Sequence, residues 1–242
     1  MFVHLKTKTI YSLLEGAIFA KALADRCCEF KMPAVGIADR ANLFGALEFS
    51  EILSDNGIQP IIGCQLPINS KEIGLKKFSA TDQISMLFLA KNEVGYRNLM
   101  ELSSKFFLND TYRFEGMRIS EIGKSSDGLI CLSGGDESPI NNLLRDNKFK
   151  DAENLLLHFK RTFGDRFYLE MNRHPLGDNF SMQINAESNI LEMADTHNLP
   201  LVATNDVYFL DQELHQPHDA LLCIAEGSFV DQKQERRSLS MD

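Results

Sequence analysis

Residues 31–68, "KMPAVGIADRANLFGALEFSEILSDNGIQPIIGCQLPI", decide the fold class that this chain predicts. The apolar run Ala34–Ala38 is typical of a short buried strand. Asn42 stands where it would cap a helix that runs to about Asp55. The segment "QPIIGCQLPI" then predicts a second buried strand. The stretch therefore predicts a strand, a helix and another strand, which is the repeating unit of α/β proteins.

The same alternation continues on both sides of this stretch. The predicted strands are 2–5, 34–38, 59–68, 86–90, 128–132, 167–171 and 199–204, and the predicted helices are 18–30, 42–55, 93–107, 139–146, 151–163, 182–197 and 212–225. About seven repeats with mostly short loops predict parallel strands joined by crossover helices, in a barrel or a doubly wound sheet. No G-x-G-x-x-G follows the first strand and no P-loop motif occurs, so the usual nucleotide-binding signals are absent.

Polar residues recur directly after several predicted strands, and this favours the barrel. They are Lys6 and Lys8, Asp39 and Arg40, Gln65, and Asn205 and Asp206. In an α/β barrel the carboxyl ends of the strands meet at one mouth, where functional residues gather. The fold prediction is therefore an α/β barrel with these side chains at its mouth.

The amino-acid composition indicates which classes of protein the chain can belong to. The 242 residues are 44% hydrophobic and carry a net charge of −9, which argues against a surface built to neutralise nucleic-acid phosphates. The five cysteines are an odd number and stand mostly in apolar runs, as reduced thiols in a cytoplasmic protein do. The chain opens without a signal-peptide pattern and holds no apolar run long enough to cross a bilayer. We therefore expect a soluble, intracellular protein.

Several motifs, taken together and in order, resemble one known family. They are "FVHLKTKTIYSLLEGA", "MPAVGIADRANLFGALEF", "GIQPIIGCQLPI", "LAKNEVGYRNLMELSSKFF", "GLICLSGG", "RFYLEMNRH" and "LPLVATNDVYFLDQELHQPHDALLCIAEG". They are similar to the polymerase and histidinol phosphatase (PHP) domain, in the version found at the N-terminus of bacterial DNA polymerase III alpha subunits. The resemblance runs from Phe2 to about Gly227. It implies a PHP domain over 1–227 and a polar tail, 228–242, leading into a polymerase region.

The resemblance also implies a distorted (β/α)7 barrel whose active members bind up to three metal ions and hydrolyse phosphoesters. It carries the family's ligand positions onto nine residues of this sequence. They are Lys6, Lys8, Glu15, Arg40, Gln65, Ser85, Gly135, Asp206 and Tyr208. Only Asp206 is kept as such, and Glu15 is a conservative replacement. The paired histidines of the first strand are replaced by Lys6 and Lys8, whose ammonium groups have no lone pair for a metal.

The replacements predict a different use of the same space. Lys6, Lys8 and Arg40 are expected to fill the volume of the lost metals. Cations in a partly buried site need anionic partners, and the partners predicted for these three are Glu15, Asp39 and Asp206. We predict no catalytic residue, no bound metal and no cofactor for this chain.

Other chemistry-bearing residues have ordinary structural explanations. His174 follows a predicted strand, but no second histidine remains beside it to share a metal. His215 and His218 are spaced i, i+3 on a predicted helix without the H-E-x-x-H pattern, so we interpret them as packing or capping residues. Ser12 has no histidine–aspartate relay near it in sequence.

The resemblance implies the N-terminal region of a replicative polymerase alpha subunit. The full-length chain would use Mg²⁺ for nucleotidyl transfer, and would meet the other holoenzyme subunits and primed DNA through regions outside this sequence. The PHP region itself would be an inactive, cytoplasmic scaffold that docks the proofreading exonuclease subunit epsilon, without membrane contact and with little direct DNA binding.

Two alternatives stay open. One is a metal-dependent phosphoesterase with an unusual metal site, and the other is a binding module whose Lys6, Lys8 and Arg40 hold an anion.

Overall fold

The computed structural model describes residues 2–75, 84–135, 138–173 and 180–232, and the chain forms two compact units. The described part of the first unit is 2–62, 173 and 205–232. The described part of the second unit is 63–75, 84–135, 138–172 and 180–204. Among the described residues, no helix is long and apolar enough to cross a membrane.

The first unit is built on short parallel strands. Its elements are strands β1 (Lys6–Thr7), β2 (Ala34–Arg40) and β8 (Asp206–Val207) and helices α1 (Ala20–Glu29), α2 (Ala46–Asp55) and α9 (His215–Glu226). Strand β1 lies between β2 and β8 and runs parallel to both of them. The β1–β8 register sets Lys6 opposite Asp206, so the first and last strands of this unit meet at this pair of residues.

The core of the first unit follows from helical and strand periodicity. Helix α1 buries Ala20, Leu23, Ala24 and Cys27, which share one face because they are spaced by three and four residues. These side chains pack in one cluster with the buried Phe49 and Leu53 of α2 and with Ile37 of β2. The packing fixes the β2 backbone, and through it the position of the residues that follow β2.

The second unit is a mixed sheet with helices. Strand β3 (Gln59–Pro67) enters it at Gly63, and its other strands are β4 (Ser85–Ala90), β5 (Leu129–Leu132), β6 (Phe167–Asn172) and β7 (Leu201–Thr204). Its helices are α3 (Glu93–Leu108), α4 (Asp110–Glu115), α5 (Ile119–Lys124), α6 (Pro139–Arg145), α7 (Phe149–Phe163) and α8 (Phe180–His197). The strand order in this unit is β7-β6-β5-β4-β3.

The predicted α/β class is confirmed, with three corrections. The described residues form eight strands, one more than predicted, because the two residues of β8 pair with β1. Strand β4 runs antiparallel to both β3 and β5, whereas all strands were predicted parallel. The first strand is Lys6–Thr7, not 2–5.

The helix predictions are confirmed apart from their ends and one cap. Asn42 does not cap α2, which begins after Gly45. The Asn42 side-chain amide instead donates to the backbone oxygens of Tyr11 and Arg40, and its oxygen accepts from the Phe44 amide. Helices α4 and α5 were not predicted, since six residues are too few to show a helical period.

Candidate functional site

Lys6 is a fully buried cation held by a carboxylate. Its side chain is 1% exposed, and its ammonium nitrogen lies 3.0 Å from Oδ1 and 3.1 Å from Oδ2 of Asp206. The β1–β8 pairing brings the two residues together, because parallel strands in register place paired residues side by side. The structure therefore puts a lysine ammonium against Asp206, the one acid predicted to be retained among the nine ligand positions.

Lys8 is buried on the same side of the chain as Lys6. Side chains two residues apart on an extended segment point to the same face, and Lys8 is 0% exposed. Its ammonium donates to the backbone oxygen of Ala38 at 2.6 Å, and its amide donates to the oxygen of Val207 at 2.8 Å. Lys8 thus ties β2 and β8 to the segment between them.

Arg40 and Glu15 form the second cation–carboxylate contact. The Arg40 Nε lies 2.9 Å from Oε1 and 3.0 Å from Oε2 of Glu15, with both side chains mostly buried. The backbone oxygen of Glu15 lies 2.6 Å from Nε2 of His218, a ring that is 2% exposed and packs against Tyr208 and Phe209. His218 therefore holds the Glu15 turn in place, and its spacing in the sequence predicted only packing or capping.

Asp39 was predicted as an ion-pair partner, and its carboxylate binds neutral donors. Oδ1 accepts from the Thr9 amide at 2.8 Å and from the Ser12 hydroxyl at 2.6 Å, while Oδ2 accepts from the Thr9 hydroxyl at 2.7 Å. The Ser12 hydroxyl oxygen also accepts from the Arg40 amide at 3.2 Å. Three donors to one buried carboxylate fix the turn that follows β1.

Lys6, Lys8 and Arg40 with Glu15, Asp39 and Asp206 all lie in the first unit. We call these six residues the ion cluster. Lys6 lies on β1, Lys8 and Glu15 lie in the segment that follows it, Asp39 and Arg40 end β2, and Asp206 lies on β8. Tyr208, another of the nine predicted ligand positions, is 8% exposed, and its ring packs against His218. Two of the predicted ion pairs are present as direct contacts.

The other three of the nine predicted ligand positions belong to the second unit. Gln65 donates from Nε2 to the Ser85 hydroxyl at 2.6 Å, and both side chains are buried. Gly135 adopts a φ of 58°, and its backbone oxygen accepts from the Ser138 amide and from Nδ2 of Asn141. These residues form neutral hydrogen bonds in place of ligand groups.

Glu170 is a buried carboxylate that sequence reasoning did not single out. It is 1% exposed, and it accepts from the Thr204 hydroxyl at 2.5 Å and from the Gly134 amide at 3.0 Å. The signal that marks it is an acid in the middle of the apolar strand β6. Burial, together with the Glu170 charge, holds the pKa of the Cys131 thiol well above its ordinary value.

The donor set does not fit a metal centre. Lysine and arginine have no lone pair when charged and repel a divalent cation, and they occupy three of the nine predicted ligand positions. Across the described ranges, no group of three His, Cys, Asp or Glu side chains is placed to hold a metal ion. His174, which was weighed as a candidate from the sequence, lies outside the described residues.

Comparison with known families gives the class of protein to which the chain belongs. The family model described as "PHP domain" matches residues 4–174. The chain belongs to the PHP domain family.

The chain is also similar to curated proteins that are DNA polymerase III alpha subunits. The chain is 46% identical over 237 residues to the DNA polymerase III subunit alpha of Caulobacter vibrioides, covering 98% of this chain and 20% of the relative. It is 36% identical to the same subunit of Rickettsia bellii, covering 93% of this chain and 18% of the relative. The chain thus spans about a fifth of the length of these relatives. It is 33% identical over 243 residues to the DNA polymerase III subunit alpha of Borreliella burgdorferi.

A solved structure supports the fold. An amidohydrolase from Chromobacterium violaceum aligns with a TM-score of 0.53 at 9% identity, covering 86% of this chain and 88% of that one. At this identity the likeness concerns the fold alone.

Proposed function

We propose that this chain is the PHP region of a replicative DNA polymerase III alpha subunit and serves there as a scaffold without hydrolytic activity. The observation that supports this most is the buried Lys6 ammonium, bound to both oxygens of Asp206. An active PHP site needs that carboxylate for a metal. Here the carboxylate neutralises a lysine instead.

The physical reason is the cost of burying charge. A buried ammonium without a partner costs several kcal/mol, and a carboxylate within hydrogen-bond distance offsets much of that cost. Lys6 and Arg40 therefore make Asp206 and Glu15 part of the folded architecture. A divalent ion would have to displace Lys6 to bind Asp206 and Arg40 to bind Glu15. The ion cluster consequently supports the fold in the place where other family members bind metals.

The polymerase reaction belongs to the proposed whole protein. DNA synthesis by nucleotidyl transfer with Mg²⁺ would be performed by regions outside these 242 residues, and contacts with primed DNA and other holoenzyme subunits would be made there. The net charge of −9 supports a surface for protein partners over one for phosphates. We propose the proofreading exonuclease subunit epsilon as the docked partner and the cytoplasm as the compartment.

The second candidate is a metal-dependent phosphoesterase with an unusual site. It is favoured only by the retention of Asp206 and of an acid at position 15. The proximity of Lys6 and Arg40 to these two carboxylates weighs against it.

Two assays test the proposal. The purified chain is incubated with p-nitrophenyl phosphate and bis-p-nitrophenyl phosphate in the presence of Mn²⁺, Zn²⁺ or Mg²⁺, with Asp206→Asn as the matched control. We expect equal, background hydrolysis by both proteins. Metal-dependent turnover that Asp206→Asn removes would establish the phosphoesterase. In the second assay, co-elution with the purified exonuclease subunit in size-exclusion chromatography is expected, and separate elution would contradict the docking role.

A further inference from the structure

Four large apolar side chains lie exposed beside the ion cluster. Leu13 and Leu14 follow β1 and are 76% and 45% exposed, while Phe44 and Leu47 follow β2 and are 64% and 71% exposed. We call these four residues the apolar surface. All of them belong to the first unit. Single exposed apolar residues are ordinary, whereas a group of them marks an interaction site.

The two segments that carry the apolar surface, the turn after β1 and the start of α2, are connected by hydrogen bonds and packing. Nδ2 of Asn42 donates to the Tyr11 oxygen at 2.9 Å, and the Tyr11 hydroxyl donates to Oε2 of Glu48 at 2.8 Å. The Tyr11 ring covers Gly45 so closely that a methyl group added there would lie 2.7 Å from its Cδ2. Tyr11 therefore ties the segment that carries Leu13 and Leu14 to the segment that carries Phe44 and Leu47.

The turn that presents Leu13 and Leu14 is held on both sides. Ser12 binds Asp39, and Glu15 binds Arg40, while the Glu15 and Gly16 amides both donate to the Ser12 oxygen at 2.9 Å. Leu14 itself has a φ of 62°, which is unfavourable for a residue other than glycine. A strained residue that the surrounding contacts hold in place is typical of a binding site. A rigid surface also loses less conformational entropy when a partner binds.

The negative charge near the apolar surface indicates which kind of partner would bind there. Helix α2 carries Glu48, Glu51 and Asp55, all exposed, and its sequence contains no lysine or arginine. Glu48 and Glu51 lie within about one helical turn of Leu47, so the α2 side of the apolar surface carries carboxylates. A second copy of this chain would bring its own net charge of −9, and DNA or an anionic membrane would bring phosphates, so all three would be repelled. A segment that combines apolar anchors with lysine or arginine side chains is complementary.

We propose that the apolar surface docks a basic amphipathic segment of a partner protein. This inference rests on the proposed scaffold role, because it assigns the surface that carries the docking. Apolar side chains of the segment would contact Leu13, Leu14, Phe44 and Leu47. Its basic side chains would lie near Glu51 and Asp55. Apolar anchors at the centre of such an interface contribute most of the affinity.

The test uses the whole 242-residue chain and the purified exonuclease subunit as the probe. The affinity is measured by isothermal titration calorimetry for the unchanged chain and for Leu13→Ser, Phe44→Ser and Leu47→Ser. Leu108→Ser is the matched control, since Leu108 is 86% exposed on α3 in the second unit. Circular dichroism verifies that each variant is folded. Each variant of the apolar surface should weaken binding about tenfold or more, and the control should leave it unchanged.

A photo-crosslink identifies the chemistry of the bound segment. p-Benzoylphenylalanine replaces Leu47, and mass spectrometry locates the crosslinked peptide of the probe. A peptide containing leucine or aromatic residues with lysine or arginine supports the inference, and an acidic or uncharged peptide overturns it. Equal affinity for all variants overturns this surface alone. No binding of the probe by the unchanged chain overturns the docking role and this inference together.

Discussion

Lys6 and Asp206 face each other across the β1–β8 pair, with the ammonium nitrogen 3.0 and 3.1 Å from the two carboxylate oxygens. Two hundred residues separate them in sequence. The contact therefore closes the first unit by joining its opening strand to its last one. The contribution of this contact to the free energy of unfolding can be measured, because either partner can be replaced by an apolar residue of similar size.

Removing one partner should destabilise the chain. Lys6→Met leaves the Asp206 carboxylate, which is 13% exposed, without this ammonium, and we expect a loss of about 3 kcal/mol in the free energy of unfolding. The double variant Lys6→Met with Asp206→Leu removes both charges and should recover most of that loss. Urea denaturation followed by circular dichroism measures both. Equal losses in the single and double variants would contradict a buried, mutually compensating pair.

The Arg40–Glu15 contact should hold the turn after β1. Glu15→Gln keeps the shape of the side chain and removes its charge, which should cost roughly 1–2 kcal/mol and speed hydrogen exchange at the Gly16 amide. Glu29→Gln is the control, because Glu29 forms an exposed i, i+3 pair with Arg26 on α1 and such pairs contribute little. If both variants behave alike, the Glu15 contact has no special role.

Thr204 should stabilise the second unit through its hydroxyl. It donates to the buried Glu170 at 2.5 Å. Thr204→Val keeps the volume but removes the donor, and we expect a loss of about 1–2 kcal/mol. Thr204→Ser keeps the donor and should cost less. Thermal unfolding measures the stability of the two variants. If Thr204→Ser is less stable than Thr204→Val, packing of the methyl group contributes more than the hydrogen bond, and the prediction is wrong.

The two adjacent cysteines of α1 should differ in reactivity. Burial raises the pKa of the Cys27 thiol to about 11, with a smaller contribution from Cys28, which is exposed. At pH 8 only about one Cys27 thiol in a thousand is then ionised, and the thiolate is the species that alkylating reagents attack. Iodoacetamide followed by peptide mass spectrometry should label Cys28 first. Labelling of Cys27 at the same rate would contradict the buried position.

Tyr11 should ionise at a higher pH than an ordinary tyrosine. Its hydroxyl donates to Glu48, and this hydrogen bond together with the Glu48 charge raises the pKa of Tyr11 above its ordinary value. Because the folded-state pKa is raised, the stability from this contact is present at neutral pH and is lost as the pH rises through that pKa. Ultraviolet difference titration should show one fewer late-ionising tyrosine in Glu48→Gln than in the unchanged chain. An unchanged titration curve would exclude the contact in solution.

Periodicity predicted most of the fold because each long element buries one face. The spacing of Leu23, Ala24 and Cys27 indicated α1 without any knowledge of its neighbours. Strand direction is not encoded in this way, so antiparallel β4 was missed: a buried strand looks the same in either direction. Strand β8 has only two residues, and it exists because its backbone pairs with β1.

The charged residues of the candidate site were predictable. The resemblance to the PHP family placed Lys6, Lys8 and Arg40 at former ligand positions, and cations in a partly buried site need anionic partners, for which Glu15, Asp39 and Asp206 were predicted. The sequence did not indicate that Lys8 donates to a backbone oxygen, or that hydroxyls surround Asp39, because such donors and acceptors occur everywhere along a chain. Glu170 was missed because its partners, Thr204 and Gly134, come from distant segments.

The most direct test of the central claim is metal analysis of the purified chain after dialysis against Mn²⁺ and Zn²⁺. A variant with Lys6→His, Lys8→His and Arg40→His restores imidazole donors and serves as the comparison. Because Lys6 and Arg40 already neutralise Asp206 and Glu15, the unchanged chain should retain no stoichiometric metal by inductively coupled plasma mass spectrometry. Two or three equivalents of metal bound to the unchanged chain, and lost from Asp206→Asn, would contradict this account.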